Sequence, residues 1–404
     1  MNNGALNGVR VVEWGNFISA PFCGKVLAEL GAEVIKVEPP HSGDDSRRHG
    51  PFPDNIPDPE RSGLFLLANL NKRGVSLDVG TPSGREILGR LLESTDVFLE
   101  NQPPSLTRDL GLEYAELSSR YPRLVVTSIT PYGLTGPYRE YRGSDLTVSA
   151  LGGLSFGTGF PDREPLNTPL YQASYLAGVG AAFASIVALL ARDLTGRGQL
   201  VDVAEAQVVA TLLSGYHLPT YIYRGIAGWR SGNRMRLGLF PNCVLPCKDG
   251  YVCIDAPQLE QYQRFLSLMG DQDWAQEPRY RNRRAMSDEY PEEAEALITP
   301  WFMQHTKEEI LRLCLESRVP CVPVRNFDEV LSDPQLNSRE YYQDIAHPEA
   351  GQLRYPGPPY RLSATPCRYV RPAPTLGQHN VEIFCGELGI DASTLPAMAR
   401  SGMI

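Results

Sequence analysis

The acidic residue with the clearest chemical possibilities is Asp145, which follows Gly143 and Ser144 in a stretch rich in Gly, Pro, Ser and Thr between residues 131 and 169. A loop of this length inside a compact chain is usually functional. The Asp145 carboxyl group could serve as a general acid or base. Alternatively, it could be the N-cap of a helix formed by the apolar run 146–151, because Asp is a preferred capping residue. The capping interpretation is favoured on sequence grounds.

Three of the eight cysteines, Cys243, Cys247 and Cys253, lie close together in a strand-like segment. They contain no C-x-x-C pair, and no histidine stands nearby. A structural zinc site needs four well-placed ligands. We therefore expect no metal, and reduced thiols of the kind found in a cytoplasmic protein.

The charge balance limits the classes of partner. The 404 residues carry a formal net charge of -9, which argues against binding to nucleic acid or to an acidic membrane surface by broad electrostatic attraction. A local basic pocket for one anionic ligand remains compatible with this balance. We expect neither a nucleic-acid partner nor a membrane partner.

The longest apolar segment, residues 177–191, is followed by the charged pair Arg192 and Asp193, which is expected to end it. The segment is shorter than the roughly 20 residues that span a membrane, and it is rich in Ala and Gly. It therefore predicts a buried core helix. The first five residues have no basic region followed by an apolar core, so no signal peptide is expected.

Alternating strand and helix patterns predict a parallel sheet. Strand-like residues 9–14, a helical pattern over 21–30 and strand-like residues 33–37 form one strand-helix-strand unit, and 74–79, 82–93 and 96–100 form a second. Residues 124–129 add a further strand. Ligands of doubly wound sheets bind beyond the carboxyl ends of the strands, so the loops 16–19, 80–81 and 101–104 are candidate ligand loops.

Changes in composition divide the chain into three parts. Residues 228–325 are predicted to form a separate small α+β domain. The preceding residues 1–227 and the following residues 326–404 are predicted to form one large α/β domain of doubly wound, Rossmann-like type. No dinucleotide fingerprint or P-loop motif is present.

An ordered set of segments resembles the class III CoA-transferase (CaiB/BaiF) family over nearly the whole chain. The segments are residues 6–12, 27–38, 43–47, 71–78, 96–101, 132–137, 196–203, 356–361 and 376–379. No single segment is diagnostic, but the set in this order is highly specific. The resemblance implies an intertwined dimer of chains, each with a doubly wound large domain built from both chain ends and a small central domain.

The resemblance also implies a binding site for coenzyme A. The family's CoA contacts fall here on seven residues: Phe17, Ile18, Ser19, Leu77, Asn101, Arg108 and Arg142. Arginines suit this role because a guanidinium group binds phosphate in a bidentate manner. Two basic contacts of the family fall instead on Pro39 and Gly80.

The family's mechanism requires a carboxylate nucleophile four residues before a glycine at the start of the long helix. In this chain that position, counted back from Gly178, is Ser174. Ser144 occupies the position of the catalytic histidine of the family's racemases. A serine hydroxyl needs an adjacent base to act as a nucleophile; Asp145 is the candidate base, but an acyl-serine mechanism is disfavoured.

Three functions follow as hypotheses. The preferred one is a CoA-transferase subunit that lacks the aspartate nucleophile and pairs with a homologous subunit that carries it, as in the succinyl-CoA:benzylsuccinate type of anaerobic aromatic degradation. The second is a stand-alone acyl-CoA lyase, hydratase or epimerase, a homodimer in which Asp145 moves a proton. The third is a CoA-thioester binding protein without chemistry.

Overall fold

The computed structural model describes residues 4–212, 217–235, 238–270 and 272–404. By its internal contacts the chain divides into two compact units. The larger unit comprises Met1–Ser155, Asn167–Ile226 and Ser338–Ile404, and the smaller comprises Phe156–Leu166 and Ala227–Asn337. The residues predicted to form the small domain, 228–325, lie within the smaller unit.

The larger unit is built on a six-stranded parallel sheet. Its strands are β1 (Arg10–Trp14), β2 (Glu33–Glu38), β3 (Arg73–Ser76), β4 (Val97–Glu100), β5 (Val125–Thr130) and β6 (Leu200–Ala204). Their order across the sheet is β3-β2-β1-β4-β5-β6. Because the order reverses between β1 and β4, a crevice for a ligand is expected beyond the carboxyl ends of these two strands.

Further strands form two smaller sheets. They are β7 (Asn242–Cys247), β8 (Gly250–Asp255), β9 (Cys321–Pro323), β10 (Tyr342–His347) and β11 (Gly351–Pro356). Strands β7, β8 and β9 form an antiparallel sheet in the smaller unit, and β10 pairs with β11 in the larger unit.

The α-helices separate these strands along the chain. They are α1 (Ser19–Glu29), α2 (Gly63–Ala68), α3 (Pro82–Leu92), α4 (Pro104–Asp109), α5 (Tyr114–Arg120), α6 (Asp145–Leu151), α7 (Leu154–Gly157), α8 (Gln172–Thr195), α9 (Glu205–Leu212), α10 (His217–Arg224), α11 (Leu259–Met269), α12 (Arg283–Asp288), α13 (Pro291–Met303), α14 (Lys307–Glu316), α15 (Phe327–Leu331), α16 (Pro334–Ser338) and α17 (Leu395–Arg400). A π-helix covers Val381–Glu387.

Helices cover both faces of the parallel sheet. On β1, the side chain of Val12 packs in a core that includes Leu88 of α3, whereas that of Val11 packs in a core that includes Leu27 of α1 and Ala181 of α8. Alternate residues of a strand point to opposite faces. The strands therefore need apolar side chains at successive positions, which explains their nearly continuous Val, Ile and Leu runs.

Helix α8 is longer than its apolar segment. It begins at Gln172 and continues through the charged pair to Thr195, where Gly196 caps it with a positive φ of 74°. Arg192 does not end the helix because its guanidinium is drawn into a salt bridge with Asp96, 2.6 Å away. By length and composition α8 could cross a membrane, but half of its most apolar window is buried inside the protein.

All eight cysteines are free thiols. Across the described ranges, no group of three or more His, Cys, Asp or Glu side chains is arranged to hold a metal ion.

Candidate functional site

The carboxyl ends of β1 and β4 are joined by hydrogen bonds between the loops that follow them. The Asn16 main-chain NH donates to Oδ1 of Asn101 at 2.8 Å, and Nδ2 of Asn101 donates to the carbonyl oxygen of Asn16 at 2.8 Å and to Oγ of Ser19 at 3.2 Å. The two loops therefore lie together at the point where the strand order reverses. They contain three of the residues predicted to contact CoA: Phe17, Ser19 and Asn101.

Phe17 has a strained backbone that a buried charge network holds in place. Its φ is 65°, an unusual value for a residue with a side chain. Its main-chain NH donates to Oδ1 of Asp44 at 3.0 Å, and the other carboxylate oxygen of Asp44 lies 2.7 Å from Nζ of Lys36. Lys36 also pairs with Glu13, and all three of these charged side chains are fully buried. Such strain concentrates at functional sites.

Ser174 lies in the first turn of α8 and is 8% exposed. Its main-chain NH donates to Oδ1 of Asp145 at 3.1 Å. Asp145 therefore satisfies a free NH group at the start of α8. Because the carboxylate binds the main chain of Ser174, this contact does not activate the Ser174 hydroxyl.

The capping role predicted for Asp145 in its own helix is wrong. Helix α6 begins at Asp145, and its N-cap is Ser144, whose hydroxyl accepts a hydrogen bond from the Thr147 main-chain NH. The hydroxyl of Thr147 in turn accepts from the Ser144 main-chain NH, which completes a capping box. Asp145 is thus left free to reach α8.

The carboxyl group of Asp145 is half-buried at this site. Burial raises the pKa of its carboxyl group, and the main-chain NH groups of Ser174 and Ala173 offset this only in part. Its Oδ2 atom is buried and has no hydrogen-bond partner among the described residues.

Glu205, which the sequence analysis did not identify, is a second carboxyl group at this site. It is the first residue of α9, directly after β6, and it is 7% exposed. Burial raises the pKa of Glu205, a hydrogen bond from Ser19 lowers it, and the nearby charge of Asp145 raises it further. Its place after the carboxyl end of a parallel strand is the sequence signal that could have found it.

A small apolar core brings these groups together. It contains Val148 of α6, Ala173 of α8, and Ala206 and Val209 of α9. Each of the three helices carries one candidate residue next to this core: Asp145, Ser174 and Glu205. Gly178 brings the Ser19 loop to the same place, because a Cβ atom at Gly178 would lie 2.8 Å from the carbonyl oxygen of Ser19.

The remaining residues predicted to contact CoA have different environments. Ile18 and Leu77 are buried in the core along their whole length, so in the single chain neither residue presents a surface to a ligand. Arg108 is exposed and forms a salt bridge with Glu140 at 3.1 Å. Arg142 is also exposed. Among the described residues, no hydrogen bond or ion pair joins these four side chains to Ser174, and their role stays a prediction.

Glu100 is a further buried acid that the sequence analysis did not single out. Burial raises its pKa to about 7, against the opposing hydrogen bonds of Ser128 and the Gln102 main-chain NH, and the charge of Asp202 adds to the increase. It lines a cavity of about 310 Å³ together with Thr107, Ser128 and the exposed Arg108. Glu100 immediately precedes Asn101, so the cavity adjoins the loop after β4.

The arrangement at α8 defines what this chain's own groups can do. It offers two carboxyl groups whose pKa is raised by burial and a loop with polar main-chain groups. It also offers a serine whose hydroxyl has no base hydrogen-bonded to it among the described residues. Such a site can bind and orient a thioester and hold a proton. It does not present an activated nucleophile at position 174.

Comparison with known proteins identifies the class. The family model for CoA-transferase family III matches residues 6–380. The chain is 34% identical to succinyl-CoA--D-citramalate CoA-transferase of Chloroflexus aurantiacus, with 99% of this chain and 98% of the relative covered. It is 33% identical to succinyl-CoA:(R)-benzylsuccinate CoA-transferase subunit BbsE of Thauera aromatica, with 95% and 94% covered.

A comparison with solved structures indicates the same family. A crystal structure of a CaiB/BaiF family protein from Brucella suis superposes with a TM-score of 0.86 at 29% identity, covering 95% of this chain and 99% of that chain. The chain belongs to CoA-transferase family III. Its mixed α/β fold with a six-stranded parallel sheet is the fold of that family's solved structures.

Proposed function

We propose that this protein moves CoA between an acyl-CoA such as succinyl-CoA and a carboxylic acid. Family membership supports the reaction class, and both relatives described above are succinyl-CoA-dependent transferases by name. Their names also favour CoA transfer over a lyase, hydratase or epimerase reaction and over binding without chemistry. D-Citramalate and benzylsuccinate are both dicarboxylic acids, so the acceptor is a dicarboxylic acid. The compartment is the cytoplasm, in keeping with eight free thiols.

We further propose that the chain acts as a subunit without its own nucleophile, paired with a homologous subunit that carries an aspartate at the position of Ser174. The observation that carries this proposal is the contact between Asp145 and the Ser174 main chain. With the Asp145 carboxylate on the main chain, no base is hydrogen-bonded to the hydroxyl among the described residues, and an un-ionised hydroxyl is a poor nucleophile. CoA binds at the loops 16–19 and 101–104.

The subunit proposal is tested on protein recovered from its own cells without overexpression. Native mass spectrometry is expected to find a one-to-one complex with a homologue that has Asp at this position. The purified chain alone should transfer no CoA from succinyl-CoA to any dicarboxylic acid. A homodimer whose transferase activity survives S174A but is lost in D145A would overturn the subunit role while leaving CoA transfer in place.

A gain-of-function variant tests whether only the nucleophile is missing. S174D places a carboxylate at the start of α8, where the helix dipole stabilises negative charge. The variant is expected to form an aspartyl-CoA thioester from succinyl-CoA, which hydroxylamine converts to a hydroxamate at residue 174 that peptide mass spectrometry detects. S174A is the matched control and should show no adduct. An unmodified S174D chain that still binds CoA would show that more than the carboxylate has been lost.

A further inference from the structure

The loop after β1 lies on a group of four charged side chains that are all fully buried: Glu13, Lys36, Asp44 and Lys72. Their charges alternate along one continuous series of ion pairs. Nζ of Lys72 lies 2.7 Å from Oε2 of Glu13, and the other carboxylate oxygen of Glu13 lies 3.0 Å from Nζ of Lys36. Nζ of Lys36 also lies 2.7 Å from Oδ2 of Asp44. Each buried charge therefore has an opposite charge beside it, as a buried ion needs.

Two members of this group bind the main chain of the loop directly. Nζ of Lys36 donates to the carbonyl oxygen of Gly15 at 3.0 Å, and Oδ1 of Asp44 accepts from the main-chain NH of Phe17 at 3.0 Å. The same Oδ1 atom accepts from the main-chain NH and the hydroxyl of Ser46 at 2.8 and 2.6 Å. Because Lys36 holds one oxygen of Asp44 and Ser46 the other, the carboxylate is a fixed support for the loop.

Phe17 depends on such a support because its φ of 65° is unfavourable for a residue with a side chain. In this conformation its ring packs edge-on against the rings of Tyr171 and His49, with both pairs of centroids 5.0 Å apart. Tyr171 immediately precedes α8. A return of Phe17 to a negative φ would redirect the ring and separate the loop from the start of α8.

We propose that Asp44 is a positioning residue for CoA binding: its buried carboxylate holds Phe17 at a positive φ and thereby keeps the loop 16–19 in its binding conformation before the ligand arrives. The inference rests on the proposed function, since the ligand of this loop is a CoA thioester. Asp44 is buried, so it acts through Phe17 and not by touching the ligand. A loop ordered in advance favours affinity, because binding then does not have to order it.

The test measures the Kd of CoA, with each variant purified from its own cells in its native complex. D44A is expected to raise the Kd by about tenfold to a hundredfold, the range that corresponds to the strain of one residue at a positive φ. In the F17A background, D44A should raise the Kd by a similar factor, because alanine needs the same support. In the F17G background, D44A should change the Kd by less than about threefold, since glycine adopts a positive φ without strain.

F17A and F17G are matched variants, because both lack the ring and they differ only in the strain of the backbone. An equal effect of D44A in these two backgrounds, or an unchanged Kd in D44A itself, would overturn the proposal. If D44A does not fold, K36M/D44A replaces it. This variant removes both partners of one ion pair and leaves Glu13 paired with Lys72, a change that buried ion pairs tolerate better than the loss of one partner. It should give the same pattern in the three backgrounds.

A second measurement does not depend on CoA. Hydrogen exchange of residues 15–19 is expected to be faster in D44A than in the wild type, whereas exchange of β4 and β5 should be unchanged. Equal exchange of residues 15–19 in both proteins, or an increase that the two strands share to the same extent, would overturn the positioning role. Failure of CoA to bind the wild type would instead overturn the proposed function, and the exchange rates would still decide the role of Asp44.

Discussion

At the scale of single residues, the unusual property of this chain is the number of acids that it buries near the carboxyl edge of its sheet. Glu100 is the clearest case, because burial raises its pKa to about 7 from an ordinary value of 4.5. Between these two pH values the folded protein binds a proton that the unfolded chain releases. The free energy of unfolding therefore decreases as the pH rises through this window.

We predict that the substitution E100Q abolishes this decrease in the free energy of unfolding with rising pH. The elevated pKa of Glu100 corresponds to about 3 kcal/mol of lost stability above neutral pH. In urea titrations, the free energy of unfolding of the wild type should fall by this amount relative to that of E100Q as the pH is raised from 4.5 to above 7. The exposed Glu113 lines the same cavity, so E113Q is the control and should follow the wild type. Parallel pH profiles of the wild type and E100Q would contradict the prediction.

The sequence revealed part of this site. Asp145 was recognisable because it stands in a long polar loop, but its partner lies 29 residues away along the chain. Local capping preference could not predict a contact at that separation, and the N-cap residue of α6 is Ser144. Glu205 and Glu100 were missed for a related reason. An acid at the start of a helix or the end of a strand usually faces solvent, and only tertiary packing decides that these two are buried.

At the scale of elements, the contact between α1 and α8 sets the geometry of the site. Glycine at position 178 permits it, because a Cβ atom there would lie 2.8 Å from the Ser19 carbonyl oxygen and 3.2 Å from the Cys23 main-chain nitrogen. Both neighbours are main-chain atoms and cannot move aside cheaply. The start of α8 is therefore held directly against the loop that is proposed to bind CoA.

We predict that G178A destabilises the protein by about 1–3 kcal/mol, as overpacking does in other cores, and also weakens CoA binding. G180A is the matched control two residues along the same helix, where the nearest atom to a new Cβ would be Cγ2 of Val208 at 3.8 Å. Alanine there should stabilise the helix by up to about 1 kcal/mol. Urea denaturation and CoA titration of both variants check this. Equal behaviour of the two would show that the contact does not constrain the site.

Most strands of the parallel sheet were predictable as elements because they contain runs of apolar, mostly β-branched residues between turn residues, whereas β10 and β11 have no such pattern and were not predicted. The strand order in the parallel sheet was not predictable, since parallel pairing depends on how the crossover helices pack. The end of α8 was misplaced for a similar reason. In the sequence, the charge of Arg192 predicts the end of the helix. In the structure, its salt bridge with Asp96, just before β4, allows this charged residue to lie on the buried side of the helix.

At the scale of the whole molecule, α8 has a second apolar face that the larger unit does not cover. Its outer side exposes five large apolar side chains at helical spacing: Val179, Phe183, Val187, Leu190 and Leu194. A contiguous exposed apolar patch of this kind marks an interaction surface. We propose that a homologous chain covers it, which agrees with the partnership proposed above.

We predict that F183D prevents this association. The Phe183 side chain is 70% exposed in the single chain, so an aspartate there should leave the fold intact while placing a charge in an interface that excludes water. Light scattering and native mass spectrometry should find a single chain in place of a complex, with an unchanged circular dichroism spectrum. F327D is the control, because Phe327 is 87% exposed on a short helix of the smaller unit. A complex that persists in F183D would place the partner on another face of the molecule.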